Sequence, residues 1–99
     1  MTEHTITRLV RQAAHLSNLS YGAVVSEMRY QHVARARFAT MLVAREHGFS
    51  TPNIGLRLGG RDHTTVLSGL KKAEKLLAEG DAPFTALVKA LREGVSDGV

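Results

Sequence analysis

Residues 50–66 read STPNIGLRLGGRDHTTV, and the order of residue types in this stretch decides the fold. Ser50, Thr51 and Pro52 form a helix start. A hydroxyl there accepts an orphan backbone N–H, and proline lacks the N–H that would otherwise go unpaired. A short helix over about 51–58 follows, buried through Ile54 and Leu58. Gly59 and Gly60 end it, because glycine tolerates the left-handed conformation of a helix exit. A second helix begins at Arg61 or Asp62 and runs to about 79, with Val66, Leu67, Leu70, Ala73 and Leu77 facing inward. Helix, glycine turn and helix make a helix-turn-helix over about 51–79.

The polar cluster Arg61-Asp62-His63-Thr64-Thr65 then falls on the N-terminal end of the second helix. In such motifs that end enters the DNA major groove, and its free N–H groups favour a nearby phosphate. Arg61 suits a bidentate bond to guanine or a phosphate clamp. Asp62 can accept from a cytosine amino group, and His63 can donate to guanine or to phosphate. Thr64 and Thr65 each offer a hydroxyl to a base or phosphate and a methyl to thymine. The competing assignment is structural: Asp62 caps the helix and the threonines fill its first turn.

Outward from this motif the rest of the chain also has helical periodicity. Ile6, Leu9, Val10, Ala13 and Leu16 mark a helix over about 5–17, and Ser20 caps a short one over about 21–25. Residues 26–31 form a connector. A long segment over about 31–47 places Ala34, Phe38, Met41, Leu42 and Arg45 on one side, and Gly48 stops it. Asp81-Ala82-Pro83 opens a last helix over about 82–93, followed by a frayed tail, SDGV. Strand-like alternation, internal repeats and low-complexity segments do not occur. The expected fold is all-α, one compact domain over 1–99 of about five to six helices.

Composition narrows the function. The 99 residues hold no cysteine, which excludes disulfides and thiolate metal sites. No apolar run approaches the roughly 18 residues that span a membrane, and the N-terminus lacks the apolar core of a signal peptide. A cytoplasmic, nucleoid-associated protein is the expectation. Net charge is +4, but residues 28–72 carry eight basic side chains opposed only by Glu46 and Asp62. A basic middle on a near-neutral body suits a polyanion, or else marks a solvated face. Histidines 4, 15, 32, 47 and 63 form no metal-ligand spacing, and no Ser/His/Asp set is recognisable. Gly55 and Gly60 have P-loop spacing, but Arg61 and Asp62 follow where Lys and a hydroxyl residue are required. The expectation is a non-enzyme with no cofactor and no metal.

Thr51-Pro52-Asn53-Ile54-Gly55, followed by Leu58-Gly59-Gly60-Arg61-Asp62-His63-Thr64-Thr65-Val66, resembles the signature of the DNA-binding domain of the bacterial replication initiator DnaA. Val33-Ala34-Arg35-Ala36-Arg37 is similar to that family too, and the likeness runs from about Ile6 to Val95. The resemblance implies binding to a duplex box of about nine base pairs. It implies base contacts from Pro52, Asp62, His63 and Thr64, with Arg61 on a base edge or a phosphate and Thr65 on a phosphate or a thymine methyl. Arg35 and Arg37 fall where the family has backbone-contacting basic residues; Arg29, Arg45 and Lys72 are further backbone candidates. Gln31 stands where the family has a minor-groove arginine, and it keeps hydrogen bonding without the charge that a narrow groove attracts. Ala36 replaces a usual proline, Gly69 a usual alanine, and the loop before Ser50 is one residue short.

A full initiator of that family carries an ATPase domain, for which 99 residues leave no room. The chain is therefore expected to be an excised domain or a free-standing relative. The resulting expectation is a monomer that binds double-stranded DNA at DnaA-box-like sites, in initiation or regulation of replication. The initiator or its regulators are potential further partners. A protein-interaction or transcriptional-regulator module derived from the same domain is the alternative.

Overall fold

The computed structural model describes residues 3–97, with side chains through Val95. In chain order the helices are α1 (Thr5–Leu16), α2 (Tyr21–Val25), α3 (Gln31–Glu46), α4 (Thr51–Arg57), α5 (His63–Ala78) and α6 (Ala82–Asp97). Among the described residues there is no strand, and no helix is long and apolar enough to cross a membrane.

Four helix starts carry a serine or aspartate cap. Ser20 Oγ accepts from the Ala23 N–H at 3.0 Å, and Ser50 Oγ from the Asn53 N–H at 3.3 Å. Asp62 and Asp81 cap α5 and α6 in the same way, through Thr64 N–H at 3.1 Å and Phe84 N–H at 3.0 Å. Such caps fix where a helix begins, because they occupy donors that have no partner inside the helix.

The core is organised by α3, which packs against all five other helices. Its buried residues, including Val33, Ala36, Ala39, Met41, Val43 and Ala44, lie around the whole circumference. The one-sided stripe expected from Ala34, Phe38, Met41, Leu42 and Arg45 is therefore not what forms. Met41 and Leu42 are buried, Ala34 and Phe38 half-buried, and Arg45 is exposed. A helix surrounded by neighbours has no solvent face to mark a period. Its small residues, Ala36, Ala39 and Ala44, leave room for neighbouring helices.

Two further expectations change. Leu67 was placed inward but is 45 % exposed; the buried line of α5 is Val66, Gly69 and Ala73, with Leu70 and Leu77 partly covered. The last helix does not end near 93. It continues through Ser96 and Asp97 of the tail expected to fray, while Gly98 and Val99 lie outside the described residues. Val95, buried against the core, anchors this extra turn. Gly94 permits it: a Cβ there would lie 2.4 Å from the Gln12 amide on α1.

Candidate nucleic-acid interface

The turn between α4 and α5 is built by close approach. Gly59 and Gly60 have φ of 82° and 77°, the left-handed region where side chains are strained. Arg61 N–H donates to the Gly55 carbonyl at 2.7 Å. A Cβ on Gly55 would sit 2.0 Å from the Arg61 carbonyl oxygen, and one on Gly59 would sit 2.1 Å from the Val25 carbonyl oxygen. Glycine thus lets α4 fold onto the start of α5, and lets the turn rest on the end of α2.

This turn presents the start of α5 to solvent. Asp62, His63, Thr64 and Thr65 are all exposed. The Asp62 carboxylate caps the helix, and His63 Nδ1 lies 3.2 Å from its Oδ1. The Thr64 N–H holds the Asp62 pKa below its ordinary value, with the neighbouring His63 acting in the same direction. Asp62 therefore does have the structural job weighed against base contact, although its side chain remains two-thirds exposed.

Beside this end runs a cleft of about 620 Å³ between α5, α3 and the connector before α3. Its lining includes Arg29, Phe38, Arg61, Thr65, Ser68 and Lys72. Lys72 Nζ sits 5.6 Å from the centroid of the Phe38 ring, a cation–π geometry that leaves the ammonium on the rim. Ser68 was missed from sequence. Its spacing of three and four from Thr65 and Thr64 could have found it, since such residues share one helical face.

The remaining arginines separate. Arg29 is exposed on the cleft wall. Arg45 is exposed, and its Nη1 donates to the Phe49 carbonyl at 3.0 Å, bracing the turn into α4. Arg35 faces elsewhere: it pairs with Asp81 at 2.9 Å and lines a different groove, with Leu16, Phe84 and Leu87. Gln31 and Pro52 are exposed at the first turns of α3 and α4.

Arg37 departs furthest from the expected backbone contact. It is 6 % exposed, and its donors are spent inside the protein. Nε donates to the Val24 carbonyl at 2.7 Å, Nη2 to Ser26 at 2.7 Å and Ala23 at 3.3 Å, and Nη1 to Met28 at 2.5 Å. Burial first, and the Arg61 charge second, push its pKa down to about 10. Arg61, expected at a base edge, is half-buried in the same place. Its guanidinium donates to the carbonyls of Leu58 and Ser26, with a longer contact of 3.5 Å to Val25. Burial lowers its pKa as well, against the pull of the Glu27 carboxylate. The physical reason is common to both. α2 ends at Val25 and α4 at Arg57; carbonyls at or just beyond these ends, Val24, Ser26, Met28 and Leu58, need donors, and two guanidiniums supply them.

A glycine-closed turn, an exposed polar helix start and a basic cleft beside it define a helix-turn-helix DNA-binding domain. The chain belongs to the bacterial dnaA protein helix-turn-helix family, whose family model matches residues 5–73. It is 37 % identical over 75 residues to the chromosomal replication initiator protein DnaA of Cereibacter sphaeroides, covering 75 % of this chain and 16 % of that protein. The DnaA of Caulobacter vibrioides is 40 % identical over 79 residues, 79 % of this chain and 16 % of the relative. That of a Bradyrhizobium species is 37 % identical over 93 residues, 93 % of this chain and 19 % of the relative. The chain thus spans less than a fifth of the length of these relatives.

Proposed function

We propose that the chain acts as one domain and binds duplex DNA sequence-specifically, without catalysis, at sites like the box of the initiator family. The start of α5 enters the major groove, where His63 and Thr64 read bases and Asp62 divides its carboxylate between cap and base. Thr65 and Ser68 meet the phosphate strand lying in the cleft, and Arg29 and Lys72 neutralise it. Pro52 approaches from the first turn of α4, Arg45 from the last turn of α3, and Gln31 from its start. Arg37 and Arg61 carry charge near the interface but are occupied within the protein, and Arg35 is held by Asp81 at a different groove.

The observation that carries this reading is the exposed run Asp62–Thr65 at the solvent-facing start of α5, directly beside a cleft walled by Arg29 and Lys72. Donors and acceptors there address bases, while the cleft addresses the backbone, the division of labour of specific recognition. Membership in the family supports a role in initiating or regulating chromosomal replication, in the cytoplasm at the nucleoid, with the protein bound as a monomer.

Fluorescence anisotropy with two labelled duplexes tests it, one holding the initiator family's box and one scrambled, at two salt concentrations. The expected result is a preference of about 10³ or more for the box. Equal and steeply salt-dependent binding to both would refute specific recognition. No binding to either would favour the alternative, a protein-interaction module.

A further inference from the structure

Arg37 and Arg61 bring together two parts of the interface that are far apart in sequence. The connector 26–30 leads from α2 to α3 and leaves Glu27, Met28, Arg29 and Tyr30 exposed. The start of α5 lies across the cleft from it. Arg37 holds carbonyls on both sides of the connector's bend, Val24, Ser26 and Met28. Arg61 leads directly into α5 and bonds the same Ser26 carbonyl as Arg37. Gly59 touches the Val25 carbonyl so closely that only a hydrogen fits. The hydrogen bonds that tie the connector to the helix-turn-helix all end on backbone oxygens; of its exposed side chains, the Glu27 carboxylate adds an electrostatic pull on Arg61.

We infer that Arg37 and Arg61 are positioning residues, a clasp that sets the distance between connector and recognition helix so that one phosphate strand fits between them. This rests on the DNA-binding reading above. On duplex DNA, crossing one phosphate strand from the major groove leads into the adjacent minor groove. A connector held across the cleft from α5 therefore delivers its exposed end, Tyr30, and the adjoining Gln31 of α3 to that second groove, while Arg29 stays on the strand between. The clasp needs guanidinium geometry. One planar fork reaches several fixed carbonyls, whereas a lysine ammonium is a single point.

Two arms test this on the full chain. In the DNA-free arm, hydrogen exchange compares the wild type with Arg37→Gln. The clasp requires faster exchange at amides 26–30, with α5 amides unchanged; uniform acceleration, or none, would overturn it. In the DNA arm, Arg37→Lys and, independently, Arg61→Lys are titrated against the initiator-family box and every single-base-pair substitution of it. Far-UV circular dichroism checks that each is folded. The expected result is loss of about tenfold discrimination confined to one end of the box, with discrimination by α5 at the other end retained. Loss spread evenly over all positions, or an unchanged profile in both variants, would overturn the coupling. Arg37→Gln adds a salt series: the slope of log affinity against log salt stays as in the wild type, whereas a phosphate ligand would reduce it by about one. Failure of the underlying DNA-binding reading is seen separately, as a wild type that does not prefer the box.

Discussion

Gly69→Ala separates what helix propensity says from what packing says. Gly69 lies in α5, where alanine should stabilise by about 0.8–1 kcal/mol. A Cβ at this position would lie 2.3 Å from Met41 Sδ, 3.2 Å from Met41 Cε and 3.3 Å from Phe38 Cδ1. Carbon and sulfur need about 3.5–4 Å, so the methionine must move by more than about 1 Å. Met41 is 2 % exposed, but the colliding atoms are the end of a flexible thioether side chain that borders the cleft beside α5, so they can turn aside. Such repacking falls at the low end of the overpacking range, about 1 kcal/mol, which cancels most of the propensity gain and leaves Gly69→Ala close to neutral. Met41→Val removes the sulfur and its methyl, and in that background Gly69→Ala should stabilise by about 1 kcal/mol. Urea unfolding of the four proteins gives the coupling directly, expected near 1 kcal/mol. Additive effects, or a single mutant stabilised by the full propensity gain, would refute the reasoning.

Other outcomes follow from the interface. Arg29→Ala and Lys72→Ala should each reduce the salt slope of binding by about one and leave base preference unchanged; anisotropy across a salt series checks this, with Arg35→Ala, tied to Asp81, as the control that leaves the slope alone. His63→Ala and Thr64→Ala should each cost about 1–3 kcal/mol on the preferred duplex and little on a scrambled one, measured by competition binding. Asp62 gives a pH dependence. Its folded pKa lies below the ordinary value, so its contribution to stability is complete above that value and is lost as pH falls through the lowered pKa. Thermal unfolding across the acid range should therefore show a shallower acid decline in Asp62→Asn than in the wild type.

The sequence revealed those parts of the fold that depend on neighbours in the chain. Ser20, Ser50, Asp62 and Asp81 cap helices by bonding N–H groups two or three residues on, so their role is visible locally. The glycine turn was equally legible. The fate of the arginines was not. Arg37 bonds the Val24 carbonyl 13 residues away, and Arg61 bonds the Ser26 carbonyl 35 residues away. Charge in a sequence announces affinity for a polyanion; it does not say which guanidiniums the chain has already used on its own carbonyls. Arg35 was absorbed in the same manner, by an aspartate 46 residues distant. The burial of α3 around its middle turns escaped because periodicity reports a boundary between core and water, and that stretch has none.

The central position of α3 also bears on the entropy of recognition. The start of α5, the connector and the turn into α4 are all referred to one helix that contacts every other and is buried through its middle turns. The protein therefore meets its ligand with its backbone already in place. What remains to be ordered on the protein side is a small set of exposed side chains, about 0.5–1.5 kcal/mol for each long one immobilised. The larger adjustment falls on the DNA, whose stiffness varies with sequence. On the proposed DNA-binding reading, a rigid reader of this sort should discriminate partly by shape, favouring duplexes whose groove spacing already matches the interval between connector and helix.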